Sequence, residues 1–169
     1  MQANNQLNKL LTLRRACALD KEIVFRWRNL DEIIALSTSK KTVTWDEHST
    51  WFDCVLSSDS CVLLVVEQDN EPIGQVRFDK SESSGCSISV YLIPSEIGKG
   101  IGTFVIQEGC EIASCVWPTL RWVQASIQNT NERSIRSFTK AGFAPPEVNL
   151  SHEPENHTFL RWNTMTQGK

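Results

Sequence analysis

The sequence predicts an α/β (α+β) fold: a mixed, mostly antiparallel sheet of about six to seven strands, flanked by about four helices. Three observations predict it. A run of antiparallel strands precedes a strand–loop–helix–strand crossover, so the sheet should be mixed. The chain has 169 residues, 40% hydrophobic and 22% charged, which suits one well-packed core over residues 1–169. The crossover opens with Ile97-Gly98-Lys99-Gly100-Ile101-Gly102, closely spaced glycines at the start of a helical run. Such a loop sits at the carboxyl end of a strand, where open sheets bind ligands.

The elements follow in order. Residues 11–16 read as a first strand. Asp20 is positioned to cap a helix through Ile23, Val24 and Phe25 toward Arg28. Residues 37–44 are polar and read as loop. A second helix starts at Asp46, with Trp51, Phe52, Val55 and Leu56 at helical spacing. Residues 62–67 form a strongly apolar strand. Asp69-Asn70-Glu71-Pro72 is a tight turn, and residues 73–79 return as the second strand of a hairpin. A polar turn over 80–85 leads to a strand at 86–93, broken by Pro94. After the glycine loop a helix runs over 104–116, ended by Pro118. Residues 120–127 alternate as a strand, Asn131 caps a helix over 132–140, and Gly142 closes it in a left-handed conformation. Residues 157–162 are the last strand.

The loop spacing is informative by what it is not. A P-loop needs two glycines flanking four residues and then Lys-Ser/Thr, and a dinucleotide fingerprint needs a third glycine where Val105 stands. What remains is Gly-x-Gly-x-Gly at a helix start. There the first amides lack intrahelical partners and the helix dipole favours an anion, which suits a pyrophosphate.

Net charge is −3 with no basic run, which argues against nucleic acid and acidic membranes as partners. Residues 1–9 are polar, lack the apolar stretch of a signal peptide, and read as a flexible N-terminus; no later segment is apolar enough to span a bilayer. The six cysteines show no C-x-x-C spacing and mostly fall in apolar runs, as reduced core thiols of a cytoplasmic protein do. Three scattered histidines make no metal cluster, so no metal is expected.

The element order and the glycine loop resemble the GNAT superfamily of acetyl-CoA-dependent N-acetyltransferases, whose loop reads Q/R-x-x-G-x-G/A. Gly100 and Gly102 match, and Ile97 stands where the family has Gln or Arg. Downstream, Asn131-x-x-Ser134 followed by Phe138-Thr139-Lys140-Ala141-Gly142-Phe143 is similar to the family's N-x-x-S-x-x-x-Y-x-K-x-G-F. The resemblance spans about residues 11–163. Arg26 to Asn29, residues 42–52, Val76 to Asp79 and residues 87–94 look most like the branch that acetylates 4-amino-4,6-dideoxy sugar nucleotides in nonulosonic (pseudaminic) acid biosynthesis.

The resemblance implies acetyl-CoA as co-substrate and a small-molecule amine as acceptor, in a monomer or homodimer. It implies a bulge that splays the strand ending at Pro94 and frees a backbone N–H near Leu92 or Ile93 for the thioester or pantetheine. The loop Gly98, Lys99, Gly100, Ile101, Gly102 and Thr103 would hold the pyrophosphate, and Asn131 and Ser134 the pantetheine or adenosine end. Phe138 replaces the tyrosine that many members use as acid for the leaving thiolate, and Tyr91, the one tyrosine in the chain, is the candidate replacement. His48 titrates near neutrality and is the candidate base. Arg28 and Arg77 are candidates for the diphosphate or hydroxyls of a nucleotide sugar, and Trp51 for stacking on a ring. Two other readings stay open: acetylation of a protein N-terminal α-amine, and a coenzyme A-binding sensor without turnover.

Overall fold

The computed structural model describes residues 10–37, 39–81, 84–146 and 156–164. Its strands are β1 (Leu11–Arg15), β2 (Cys61–Gln68), β3 (Glu71–Lys80), β4 (Gly85–Leu92), β5 (Trp122–Gln128) and β6 (His157–Asn163). They form one sheet in sequence order, antiparallel throughout except for the parallel β4–β5 pair. The helices among the described residues are α1 (Lys21–Arg28), α2 (Asp31–Leu36), α3 (Trp45–Ser57), α4 (Gly102–Val116) and α5 (Glu132–Lys140), with short 3₁₀ turns at Ala18–Asp20 and Pro94–Glu96. The sheet thus has six strands, and the helix count exceeds the expectation by α2.

Period-2 alternation divides the sheet between two cores. Val62, Leu64, Val66, Val76, Phe78 and Ile88 point to one face, where α4 lays Val105, Ile106, Cys110 and Ala113 against them. Leu63 and Val65 point to the other face, covered by Val24 and Trp27 of α1 and Phe52 and Val55 of α3. Because both faces are covered, β2 is an unbroken apolar run rather than an alternating one. Of the six cysteines, all free, Cys61, Cys86 and Cys110 are buried, and Cys17, Cys54 and Cys115 are exposed. Only half are core thiols, fewer than the apolar runs suggest. Burial pushes the thiols of Cys61 and Cys86 up to about 12.

Local chemistry fixes the connections. Asp69 and Asn70 both have positive φ, +55° and +68°, as the two-residue turn between β2 and β3 requires. At the end of α5 the Phe143 amide donates to the Phe138 carbonyl and the Gly142 amide to Thr139, with Gly142 at φ +95° and the two phenylalanine rings edge-on at 4.9 Å. This is a Schellman closure with its apolar contact.

Two expected helix starts differ. α3 begins at Trp45, capped by Thr44, rather than at Asp46: the Glu47 amide donates to the Thr44 hydroxyl while the Thr44 amide donates to the Glu47 carboxylate. Asp20 stands at the start of α1, but its carboxylate makes no cap there. It accepts two bonds from the Arg14 guanidinium and one from the Cys17 amide, and Arg14 holds it below the usual carboxylate range.

Candidate functional site

β4 pairs with β5 only over Gly85 to Ser87, and from Ile88 onward the two strands part. No bulge in β4 is responsible, since its register with β3 runs unbroken from Gly74↔Leu92 to Lys80↔Cys86; the register shift lies between β2 and β3, at Val66/Glu67. The expected splay is present and the expected bulge is not its cause. The Ile93 amide donates to the Ile73 carbonyl at 2.8 Å, so it is not the free donor anticipated there. Antiparallel pairs alternate, so Ile73↔Ile93 being hydrogen-bonded makes Gly74↔Leu92 a non-hydrogen-bonded pair. The Leu92 amide therefore points away from β3, into the gap β5 has vacated.

Two cavities share one wall residue, Tyr91, at this strand end. The first, about 340 Å³, lies between β4, the glycine loop and the N-termini of α4 and α5. Its wall includes Leu92, Gly98, Gly100, Ile101, Gly102 and Thr103, together with Asn131 and Ser134. Gly98 and Gly100 adopt φ +85° and +82°, and a Cβ on either would touch no protein atom within 4 Å. Glycine is required there by backbone conformation rather than by crowding, and the space beside it is open to a ligand. α4 starts two residues earlier than predicted, at Gly102. It has no capping side chain and no acidic residue in its first turn, so its opening amides have no protein partner from a cap. Uncapped amides, a positive dipole end and left-handed glycines together suit a diphosphate.

Asn131 caps α5 by accepting from the Ser134 amide at 3.1 Å, and both residues still face the cavity. Phe138 is buried at its base, held by the Schellman closure. Two anticipated contacts do not belong to this wall. Ile93 packs into the apolar cores, and Lys99 is absent from the lining, its ammonium neutralising at 2.9 Å the carboxylate of Glu96, which does line the cavity.

The second cavity, about 370 Å³, lies on the opposite side of β4, beneath α1 and α3. Arg28, His48, Trp51, Arg77 and Tyr91 all line it, although the sequence spreads them over more than sixty positions. Tyr91 lines both cavities and marks their junction. Its hydroxyl is buried without a partner, and burial raises the phenol well above its usual range against the opposing pull of Arg28 and Arg77. It is therefore not a sheet tyrosine with its hydroxyl at the surface. One nitrogen of Arg28, Nη1, is also buried and unpartnered, while Nη2 donates to the Ser39 hydroxyl. Arg77 donates to Asp79 and lies over the Trp51 ring, 5.6 Å from its centroid.

His48 is 3% exposed, in contact with the rings of Phe25, Trp45, Trp51 and Phe52. Its Nε2 lies 2.9 Å from the Lys21 carbonyl; a carbonyl only accepts, so Nε2 carries the hydrogen and Nδ1 the lone pair. Desolvation lowers its pKa, so the ring is neutral at pH 7.

Gln75, not singled out from the sequence, also lines this cavity; it is 6% exposed and its Oε1 has no partner. Alternation puts it with Arg77 and Asp79, which reads as a solvent face. The continuous apolar run of neighbouring β2 is the signal that both faces are covered.

Comparison with known proteins agrees with this geometry. Residues 11–144 match the family described as "Acetyltransferase (GNAT) domain". The chain is 28% identical over 145 residues to the putative phosphinothricin acetyltransferase YwnH of Bacillus subtilis (strain 168), covering 79% of this chain and 84% of that protein. Among solved structures, aminoglycoside acetyltransferase AAC(6')-Ib in complex with coenzyme A and kanamycin superposes at TM-score 0.76 with 20% identity, covering 92% of this chain and 96% of that one. The Campylobacter jejuni N-acetyltransferase PseH in complex with acetyl coenzyme A superposes at 0.67 with 17% identity, over 92% and 99%.

Proposed function

As a member of the acetyltransferase (GNAT) domain family, the chain is an acetyl-CoA-dependent N-acetyltransferase, and we propose that its acceptor is the amine of a small anionic molecule, an amino-sugar nucleotide. The observation that carries this reading is the pair of cavities meeting at Tyr91, one walled by anion-seeking backbone and the other by arginine and aromatic side chains.

Acetyl-CoA supplies an activated acetyl group as a thioester. In this reading the amides from Gly98 to Thr103 hold the diphosphate, with Asn131 and Ser134 along the pantetheine or adenosine path. The Leu92 amide faces the thioester carbonyl, where charge develops during attack; a fixed donor of this kind is typically worth about 10²–10³ in rate. Tyr91 stays protonated, and its O–H is a hydrogen-bond donor toward the leaving sulfur while the thiolate departs unprotonated, a contact Phe138 lacks the chemistry to make. His48 accepts the amine proton at Nδ1, directly or through water. A His48→Ala variant is expected to lose turnover more than acetyl-CoA affinity, and an unchanged pH–rate profile in it would rule the base assignment out.

Charge supports this acceptor class. Arg28 and Arg77 line the second cavity beside one carboxylate, Glu47, which is turned to the Thr44 amide; Arg77 also pairs with Asp79, so Arg28 carries the argument, with its buried Nη1 unpartnered. An unpartnered guanidinium nitrogen suits an anionic oxygen better than a polycation such as kanamycin. It also suits an amino acid bearing a second anionic group, the reading favoured by the phosphinothricin-acetyltransferase relative. The test is release of free thiol from acetyl-CoA with a UDP-linked 4-amino-4,6-dideoxy sugar, phosphinothricin, kanamycin, spermidine and N-terminal peptides in parallel. Turnover confined to the polycations or peptides would overturn the anionic-acceptor reading.

A further inference from the structure

Three buried polar atoms without partners, Gln75 Oε1, Tyr91 OH and Arg28 Nη1, belong to side chains lining the same cavity. Buried polar groups are normally satisfied, and an unsatisfied one costs about 1–3 kcal/mol. Three around one space describe a ligand by its complement: a hydrogen acceptor for Arg28, a hydrogen donor for Gln75, and either for Tyr91.

We infer that Gln75 is a specificity-determining residue that orients the acceptor amine, its side-chain carbonyl oxygen accepting one N–H hydrogen of that amine. The inference rests on the second cavity being the acceptor site, as proposed above. Gln75 and Tyr91 are directly opposed across β3 and β4, and both side chains leave the sheet on the α1/α3 face. They form a hydrogen-bonded pair, with Cα atoms about 5.5 Å apart. An amine held by Gln75 therefore lies beside the strand end where the two cavities join. With its carbon held by the rest of the substrate, fixing one N–H restricts the nitrogen lone pair to two of its three tetrahedral positions, which makes the contact directional as well as adhesive. An amide oxygen cannot take up the proton, so Gln75 positions the nucleophile and leaves deprotonation to another group. The anionic end of the acceptor would then extend toward Arg28, and the separation of its amine from its anion would select among substrates.

The structural alternative is weak on the same observation. Among the described residues Gln75 Oε1 supports nothing, so a leucine of similar volume removes an orphaned polar atom and no hydrogen bond from it. The experiment compares wild type, Gln75→Leu and Gln75→Glu. It measures kcat and KM for each amine of the panel above, KM for acetyl-CoA, and the thermal midpoint. The expected result is a loss of about 10- to 100-fold in kcat/KM for the acceptor in Gln75→Leu. Acetyl-CoA KM should be unchanged, the midpoint equal or higher, and acceptor turnover largely retained in Gln75→Glu, whose carboxylate still accepts. Equal acceptor kinetics in Gln75→Leu and wild type would overturn this inference alone. So would a parallel loss of thermal midpoint and acetyl-CoA saturation, which marks a structural role. A wild-type chain that turns over none of the panel overturns the functional reading and this inference with it.

Discussion

Gly100 offers the sharpest measure of the phosphate grip. Its φ is +82°, and a Cβ there would meet no protein atom within 4 Å. A Gly100→Ala change therefore adds no clash with the protein, only the cost of holding an L-residue in the left-handed region, about 1–2 kcal/mol. That cost is divided. A loop that keeps its shape when empty shows it as lost folding stability; a loop that relaxes shows it as weaker binding, about 5- to 30-fold in Kd if all of it falls there. Denaturant unfolding and calorimetric titration with coenzyme A measure the two shares, which should sum to the strain. Gly100→Asp adds a carboxylate beside the diphosphate; at ~4 Å and an effective dielectric near 20 the repulsion approaches ~4 kcal/mol per charge pair, so binding should fall by more than about 10²-fold. S-Acetyl-pantetheine, which lacks the diphosphate, serves as the control and should be used equally well by Gly100→Asp and wild type. Coenzyme A affinity that survives Gly100→Asp, or an equal defect with the truncated donor, would refute the placement of the phosphates.

Other expectations follow from the same geometry. Tyr91→Phe removes a hydroxyl with no protein partner, so the thermal midpoint should hold or rise while kcat falls by about 10-fold; unchanged kcat would remove the hydrogen-bond donor assignment. The lowered pKa of His48 means that the unfolded chain binds its proton more readily than the folded one below the reference value of 6.5. Its contribution is therefore fully present above pH 6.5 and is lost as pH falls toward the folded pKa; a His48→Leu variant should show a flatter decline in denaturation midpoint from pH 7 to 5. Gly85→Ala would drive a Cβ to 2.1 Å from the Trp122 ring where β4 meets β5, costing about 1–3 kcal/mol and several degrees of thermal midpoint; full stability would show that the ring moves aside freely.

The elements that carried strong local signals were legible. β2 announced itself by apolar β-branched residues, the β2–β3 turn by Asp69-Asn70, and the end of α5 by Gly142. α2 was not, because its six residues are too short for a helical period to separate from loop. Thr44-x-x-Glu47 is a capping box, but Asp46, two residues on, is an equally good start signal, so the sequence alone does not choose between them. The glycine loop was readable because its requirement is a backbone angle, which only glycine meets cheaply. Lys99 was not, because nothing local says that Glu96, three residues earlier, takes its charge. Gln75 is hidden by a pattern that reads correctly as alternation and wrongly as exposure: the cavity it lines is roofed by α1 and α3, which begin at Lys21 and Trp45, far upstream in the chain.

The two cavities also differ in what they are made of, and that difference decides what each can tell. The first cavity, the proposed cofactor side, is largely main chain: left-handed glycines, the bare N-terminus of α4, and the outward amide of Leu92. Backbone donors keep their positions while side chains around them change, so Ile97 in place of a polar residue leaves the anion site intact. The second cavity, the proposed acceptor side, is walled chiefly by side chains from four separate elements, α1, α3, β3 and β4. Its charge and hydrogen-bond pattern can be rewritten one residue at a time without touching the loop, and changes at well-separated sites act nearly independently. Family membership therefore fixes the acetyl donor and leaves the acceptor to be read from Arg28, Gln75, Arg77 and Tyr91 themselves. In this chain those four present two cations, one orphaned acceptor and one orphaned hydroxyl, the complement of an amine tethered to an anion.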